Sequence, residues 1–487
     1  MKSIINLLLC VVIYNQSVYG KTTQKSKAAK NKTSIDNLSK SKVNVEKVNS
    51  LSGLTLTSGE RTAPATSHAL SLSDVYRSAY DTDSRMASAQ NSLEASHLHF
   101  DADYAKTWGP TLSLTAGLVL GQKWVAPTSF GIVNGWTTSG GLTLTQPLFN
   151  YVQILQKDQS EYAISVEEVR NAVAQQDLMV RVTKAYLDVL KLQSSIEFKN
   201  TEIKAAGTHL EIVKEQVAVG LATQGDLSEA EAIVEGAKAQ KSNLESLLTT
   251  AKGVLLQTWQ ISSNELKHLK SKILFKAPVP SDPQKWIDQA VLLNLNVQYN
   301  SGLQEIAEYD IEKAKAALNY PIVNLTAGCT VQGTADYPFG GDTQNINGCS
   351  GGVQVSMPLF DGGYTPAKSK ELTAIKERIR NEVRTSQIFA GQASRQAFAD
   401  INKELTNIQL YQKAVAGLTD ALEGKRQNFL NGDRKSFEIL TTLQNLNIYK
   451  QQLLTEKYDF IYNKVLLKQS VGLLTVVDLE EIDALLE

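Results

Sequence analysis

Apolar and polar residues change rhythm several times along this chain, and each rhythm predicts an element. Over residues 71–107 apolar side chains return at helical spacing, Leu72, Val75, Ala79 and Met86 among them, after the cap-type stretch Leu70-Ser71-Leu72-Ser73-Asp74. Trp108-Gly109-Pro110 ends that helix. The period then falls to two: Leu112, Leu114, Ala116, Leu118 and Leu120 share one face of a strand, and Thr111, Ser113, Thr115 and Gly117 the other. Residues 139–146 alternate again, with Leu142 and Leu144 opposed to Thr143 and Thr145. From Pro147 to about Val219 the spacing is helical, roughly 105 Å of it at ~1.5 Å per residue. No single globular core holds such a length, so it predicts a coiled coil. Gly220 to Gly225 makes a turn, Asp226 caps the next helix, and that helix runs to about Trp259. The helices over 71–107 and 226–259 are each about half as long as the one between them, so stacked end to end they can run alongside it.

The plan is then repeated. Leu114-Thr115-Ala116-Gly117 returns as Leu325-Thr326-Ala327-Gly328, an offset of 211 (325 − 114), and Pro147-Leu148-Phe149 returns as Pro358-Leu359-Phe360 at the same offset. Ala185-Tyr186-x-Asp188 returns as Ala397-Phe398-x-Asp400, and Gly220 as Gly432, at 212 (432 − 220). One spacing held by several markers is an internal duplication. It divides the chain into repeat 1 over 68–270 and repeat 2 over 271–480, with a short tail at 481–487. The second copy is expected to carry a helix over 284–318, strands about 321–332 and 349–357, and helices over 359–430 and 435–470.

Each hairpin has an apolar face, a polar face and about the length of a tilted membrane strand. A soluble sandwich would need more strands than these. Four strands cannot close a barrel in lipid, so the pattern calls for an oligomer. Placing Val323 opposite Val355 and Leu325 opposite Val353 sets Cys329 opposite Cys349 on the apolar face. In an exported chain that predicts a disulfide beneath a loop over 332–348, worth on the order of 3 kcal/mol.

Export itself is predicted by the start of the chain. Lys2, the apolar run from Ile4 to Tyr14 and Val18-Tyr19-Gly20 read as a signal peptide over 1–20, the run being too short to span a bilayer. Residues 21–67, rich in Lys, Ser, Thr and Asn, are expected to be a disordered leader. A net charge of −1 over 487 residues gives no electrostatic case for nucleic acid. The five histidines are scattered, and no phosphate-cradling loop, zinc-spaced cysteine set or nucleophile elbow occurs, so neither enzyme chemistry nor a cofactor is expected.

These elements together resemble the TolC family of bacterial outer-membrane efflux and secretion proteins over about 70–480. The carriers are Gln146-Pro147-Leu148-Phe149, Met357-Pro358-Leu359-Phe360-Asp361-Gly362-Gly363, Ala185-Tyr186-Leu187-Asp188-Val189-Leu190, Val219-Gly220-Leu221 with Asp226, and Asn431-Gly432 with Arg434. The resemblance implies a mainly α fold with a membrane β part. It implies a homotrimer whose twelve strands form a barrel in outer-membrane lipid, continued by an α-helical periplasmic tunnel. It also implies a duct for drug efflux or type I secretion, joined to a periplasmic adaptor and an inner-membrane pump. A periplasmic gate then falls on Asp226, Phe429, Arg434, Glu438 and Thr441, and the adaptor contact on Gly220, Leu221, Asn431 and Gly432. Phe429 stands where the family has a tyrosine hydroxyl and Thr441 where it has a second acid, so the gate here is expected to be wired differently. The polar strand faces should line the barrel, and Trp108, Trp124 and Trp136 should mark its interfacial girdles. A structural or adhesive coiled-coil protein would share the helices but has no use for two lipid-patterned hairpins.

Overall fold

A computed structural model describes residues 70–125, 131–261, 266–270, 273–337, 344–430 and 436–486. The predicted signal peptide and leader therefore lie outside the described residues. Thirteen elements follow in order: α1 Leu72–Thr82, α2 Ser84–Trp108, β1 Thr111–Val125, β2 Gly131–Asn150, α3 Tyr151–Ala218, α4 Gln224–Trp259, α5 Pro283–Leu293, α6 Leu295–Asn319, β3 Ile322–Tyr337, β4 Gln344–Ser356, α7 Tyr364–Leu430, α8 Ser436–Ser470 and α9 Val476–Asp483. The second half reproduces the first element by element, up to β4 and α7–α8.

α3 and α7 are the long spines, 68 and 67 residues, or about 100 Å each. Short helices pack beside them in two tiers. In the tier nearer the strands the order is α2, α3, α6, α7; in the other it is α4, α3, α8, α7. The sheet keeps the same order, β1-β2-β3-β4, all antiparallel. Repeat 1 thus forms one margin of the molecule and repeat 2 the other, from strands to coiled coil.

The main core lies where the tiers meet. Leu178, Val182, Tyr186, Val189 and Leu190 of α3 are buried there against Leu72 and Met86, Leu255 and Trp259, and Tyr458, Ile461 and Leu467. A belt of irregular chain closes over it. The Tyr186 hydroxyl lies 3.0 Å from both the Leu70 and the Lys267 carbonyl oxygens, which it serves as a shared donor. Leu70 bridges Leu266, and Leu269 bridges Leu486. The Asp483 carboxylate of α9 accepts the N–H groups of Leu72 and Ser73 at 2.7 and 3.0 Å, capping α1 from 411 positions away in sequence.

Several boundaries differ from those read in the sequence. The helix over 71–107 is two helices, broken at Asp83, and the helix over 284–318 is broken at Asn294. Both breaks are N-caps: Asp83, in extended backbone, accepts from the N–H of Arg85 and Met86, and Asn294, at φ −58° and ψ 130°, from those of Asn296 and Val297. The apolar periodicity runs through each break in phase, so hydrophobic spacing alone could not register it. β2 continues past Pro147 to Asn150 by means of a bulge between Pro147 and Phe149. α7 starts at Tyr364 rather than at 359, because Gly362 and Gly363 turn the chain at φ +67° and +90°.

The two breaks are held differently. In repeat 1 Asp83 is 2% exposed and lies 2.7 Å from Arg181 Nη1, while Trp259 Nε1 donates to it at 3.0 Å. Burial alone would raise the Asp83 carboxyl, but the hydrogen bonds from Arg181, Trp259 and the Met86 N–H, with the guanidinium charge, hold it well below the usual carboxylate range. In repeat 2 Asn294 Nδ2 donates to the Ser470 carbonyl at 2.8 Å.

Candidate channel wall and periplasmic turns

The sheet is built as its sequence alternation requires. Across one face run the rows Leu112, Leu144, Ala327, Gly351 and Leu114, Leu142, Cys329, Cys349, with Leu325 beside Val353. Leu114 and Leu120 are 79% and 78% exposed, part of a large apolar surface that no described residue covers. The opposite face carries Thr111, Ser113, Thr115, Thr143 and Thr145. The hydroxyls of Thr111, Ser113 and Thr115 donate to the carbonyls of Thr145, Thr143 and Gly141 across the strand pair, each at 3.3 Å. Among the described residues no strand pairs with the outer edge of β1 or of β4.

Cys329 and Cys349 sit opposite each other and are joined by a disulfide, Sγ–Sγ 2.07 Å. The bond is mid-strand and not beneath a loop over 332–348, because β3 runs on to Tyr337 and β4 starts at Gln344. Those extensions are rich in Gly, Thr, Gln and Asn and alternate poorly, yet β3 finds register on β2 as far as Tyr337. Trp108 and Trp136 are both partly exposed near the ends of elements, while the Trp124 side chain lies outside the described residues.

At the far end of the helices, α3 closes in a Schellman turn. Gly220 adopts φ +72° and donates to the Val217 carbonyl, and Leu221 N–H reaches the Gln216 carbonyl at 2.8 Å. A left-handed residue is required there, so glycine is the natural occupant. Val219 and Leu221 beside it are exposed apolar residues. Asp226 is not the cap of α4. Thr223 is, and Asp226 at the third helical position in turn accepts from the Thr223 N–H at 2.7 Å, a complete capping box. Those bonds to the Thr223 N–H and hydroxyl lower the Asp226 carboxyl. Its local role explains its presence without a gate.

Asn431, Gly432 and Arg434 lie outside the described residues, and Phe429 is in α7 with its side chain outside them. Glu438, on the first turn of α8, lies 3.6 Å from Lys425 Nζ of α7. Sequence reading missed Lys425, since nothing local marks a lysine thirteen positions upstream as a partner (438 − 425). The same amine donates to Thr442 Oγ1 at 2.9 Å. Thr441 donates its hydroxyl to the Phe437 carbonyl within its own helix. A further contact joins the two coiled coils: the His209 ring of α3 lies 5.8 Å from the Phe437 ring of α8, near Ala206, Val234 and Leu440. Burial lowers the His209 pKa, and Glu229 opposes that shift.

A sheet with one greasy and one hydroxyl-lined face, running directly into helices about 100 Å long, is the wall of a membrane channel. The sequence pattern of the family described as "Outer membrane efflux protein" matches residues 75–259 and 286–473, and the chain belongs to that family. The outer membrane protein TolC of Vibrio cholerae is 24% identical over 424 residues, which are 85% of this chain and 93% of that protein. The proteases secretion protein PrtF of Dickeya chrysanthemi is 24% identical over 360 residues, 70% of this chain and 74% of its own length. Among solved structures, the Campylobacter jejuni CmeC outer membrane channel superposes with a TM-score of 0.69 at 14% identity, covering 89% of this chain and 98% of that one. VceC from Vibrio cholerae gives 0.66 at 16% identity, covering 82% and 96%. The chain is an outer-membrane protein of a Gram-negative cell, its helices are of the kind that form the periplasmic tunnel of such channels, and it is not an enzyme.

Proposed function

We propose that three copies of this chain form an exit duct, working with a periplasmic adaptor and an inner-membrane transporter in drug efflux, protein secretion or both. The observation that carries this reading is the four-stranded sheet with a lipid-suited face and two edges that no described strand pairs. Unpaired N–H and C=O groups are intolerable in hydrocarbon, so further copies must complete the barrel, twelve strands in a trimer. The helices share the strand order, so the same closure extends the barrel as a tunnel. Relatives named for protease secretion and for efflux support both kinds of cargo.

The duct should narrow at the α3–α4 and α7–α8 turns. Three copies of Glu438 around that bore would favour cations, with Lys425 moderating their charge. Exposed Leu221 and Val219 beside Gly220, and Asn431-Gly432 in the second copy, are the surface offered to the adaptor. In planar bilayers the purified protein should conduct ions, and Glu438→Gln should lower cation preference while Lys425→Ala raises it. A protein that inserts but never conducts contradicts the duct; reversal potentials unmoved by both changes contradict the ring.

A further inference from the structure

The two helix breaks are equivalent by duplication, but only one is filled. Asp83 corresponds to Asn294 (294 − 83 = 211). On the spines and on the helices after them the offset is 212, so Arg181 corresponds to Ala393 (393 − 181) and Trp259 to Val471 (471 − 259), the residue just before the left-handed Gly472 as Trp259 is just before the left-handed Gln260. An indole, a guanidinium and a carboxylate on one side are thus replaced by a valine, an alanine and a carboxamide on the other. Beside the repeat 2 break lies a groove of about 590 Å³ between α3, α6, α7 and α8, and Ala393, Asn294 and Ser470 line it. That is the size of a small-molecule site.

Its lining is selective. Phe389, Ala390, Ala393 and Ala397 of α7 with Leu466 of α8 give it an apolar side. Phe389 is 63% exposed, so its ring face is available. Asp400 is the single ionisable residue among those lining it. Behind the wall a second carboxylate is buried: Glu404 is 1% exposed and accepts from Asn463 Nδ2, itself a lining residue, at 2.6 Å. The other oxygen of Glu404 has no hydrogen-bond partner among the described residues. Among the described residues Lys403 Nζ, 3.3 Å from Asp400 and 4.0 Å from Glu404, is the one cation in an ion pair with both carboxylates. Asp400 also accepts from Gln396 Nε2 at 2.8 Å, and it is the carboxylate at the groove wall that an incoming cation would meet.

We propose that this groove binds amphipathic organic cations, the apolar body resting on the alanines and Phe389 and the charge lying near Asp400. The face of Phe389 adds cation–π attraction. The inference stands apart from the trimeric duct, because it needs only the groove within one chain.

The test uses full-length protein in nanodiscs of zwitterionic lipid with ethidium as the probe, read by fluorescence polarisation against empty discs. Saturable binding is expected, weakened about tenfold by Asp400→Asn and abolished by Ala393→Leu with Ser470→Leu, with the melting temperature of each variant confirming the fold. Should the double variant fail to fold, Asp400→Asn decides alone. Absence of saturable binding to the wild type overturns the proposal, as does equal affinity of Asp400→Asn and wild type. Conductance of the same preparations in bilayers tests the duct separately, so the two readings fail independently.

Discussion

The same junction, made twice by duplication, is solid in one half of the molecule and hollow in the other. In repeat 1 the stacked ends of α2 and α4 are pinned by Asp83, Arg181 and Trp259, all from different helices or helix ends. In repeat 2 the ends of α6 and α8 share one carboxamide-to-carbonyl bond beside a groove of about 590 Å³. The spines, the sheet order and the tiers are the same in both. Duplication copied the backbone plan, and the side chains at three matched positions diverged into a lock and a cavity.

The largest effect should come from emptying the lock. Trp259 is 2% exposed, and Trp259→Ala should cost about 3–5 kcal/mol in thermal or denaturant unfolding, whereas Val471→Ala at the matched position, which removes only two methyl groups, should cost about 2 kcal/mol. Equal effects would dissolve the contrast. Arg181→Ala comes next, at about 3 kcal/mol, because it strips the counter-ion from a buried carboxylate; Asn294→Ala, which removes a neutral cap, should cost about 1–2 kcal/mol. The sign of the pH dependence follows from Asp83. Its folded pKa is lowered below the ordinary 3.8, so the stability it brings is present above that pH and is lost as pH falls through the folded value. The gap between wild type and Arg181→Ala should therefore close in acid.

Repeat 2 has a titrating group of the opposite kind. Burial pushes the Glu404 carboxyl up to about 7; Asn463 and Lys403 pull it down, and Asp459 and Asp400 push it further up. A raised carboxyl favours folding below its unfolded value of 4.5, and that contribution is lost as pH rises through about 7. The melting temperature of Glu404→Gln should gain on that of the wild type from pH 4.5 to 7 and then level off, and parallel curves would show that Glu404 stays ionised throughout. The smallest change expected is a gain of about 1 kcal/mol from filling the groove with Ala393→Leu, against a loss from any substitution of Arg181.

Much of this architecture is legible in the chain. The alternation Leu112, Leu114, Ala116 predicts the lipid-suited face, and two apolar pairs set the register that opposes Cys329 to Cys349. The breaks at Asp83 and Asn294 are not legible from periodicity, because capping by a single side chain leaves the apolar phase intact. The duplication could have revealed them, since two cap-type residues stand 211 positions apart. Asp226 was misread because Thr223, three residues earlier, is the cap and Asp226 its reciprocal partner. Lys425 at Glu438 and Asp483 on the N-terminus of α1 are long-range pairings set by packing, which no local window contains.

The most direct measurement of how this sheet is completed in lipid is the mass of the folded, detergent-solubilised protein by native mass spectrometry or sedimentation. A particle of three chains is expected, stable to dilution, since each copy supplies the edges its neighbours need. A folded, membrane-extracted particle of one chain would contradict it.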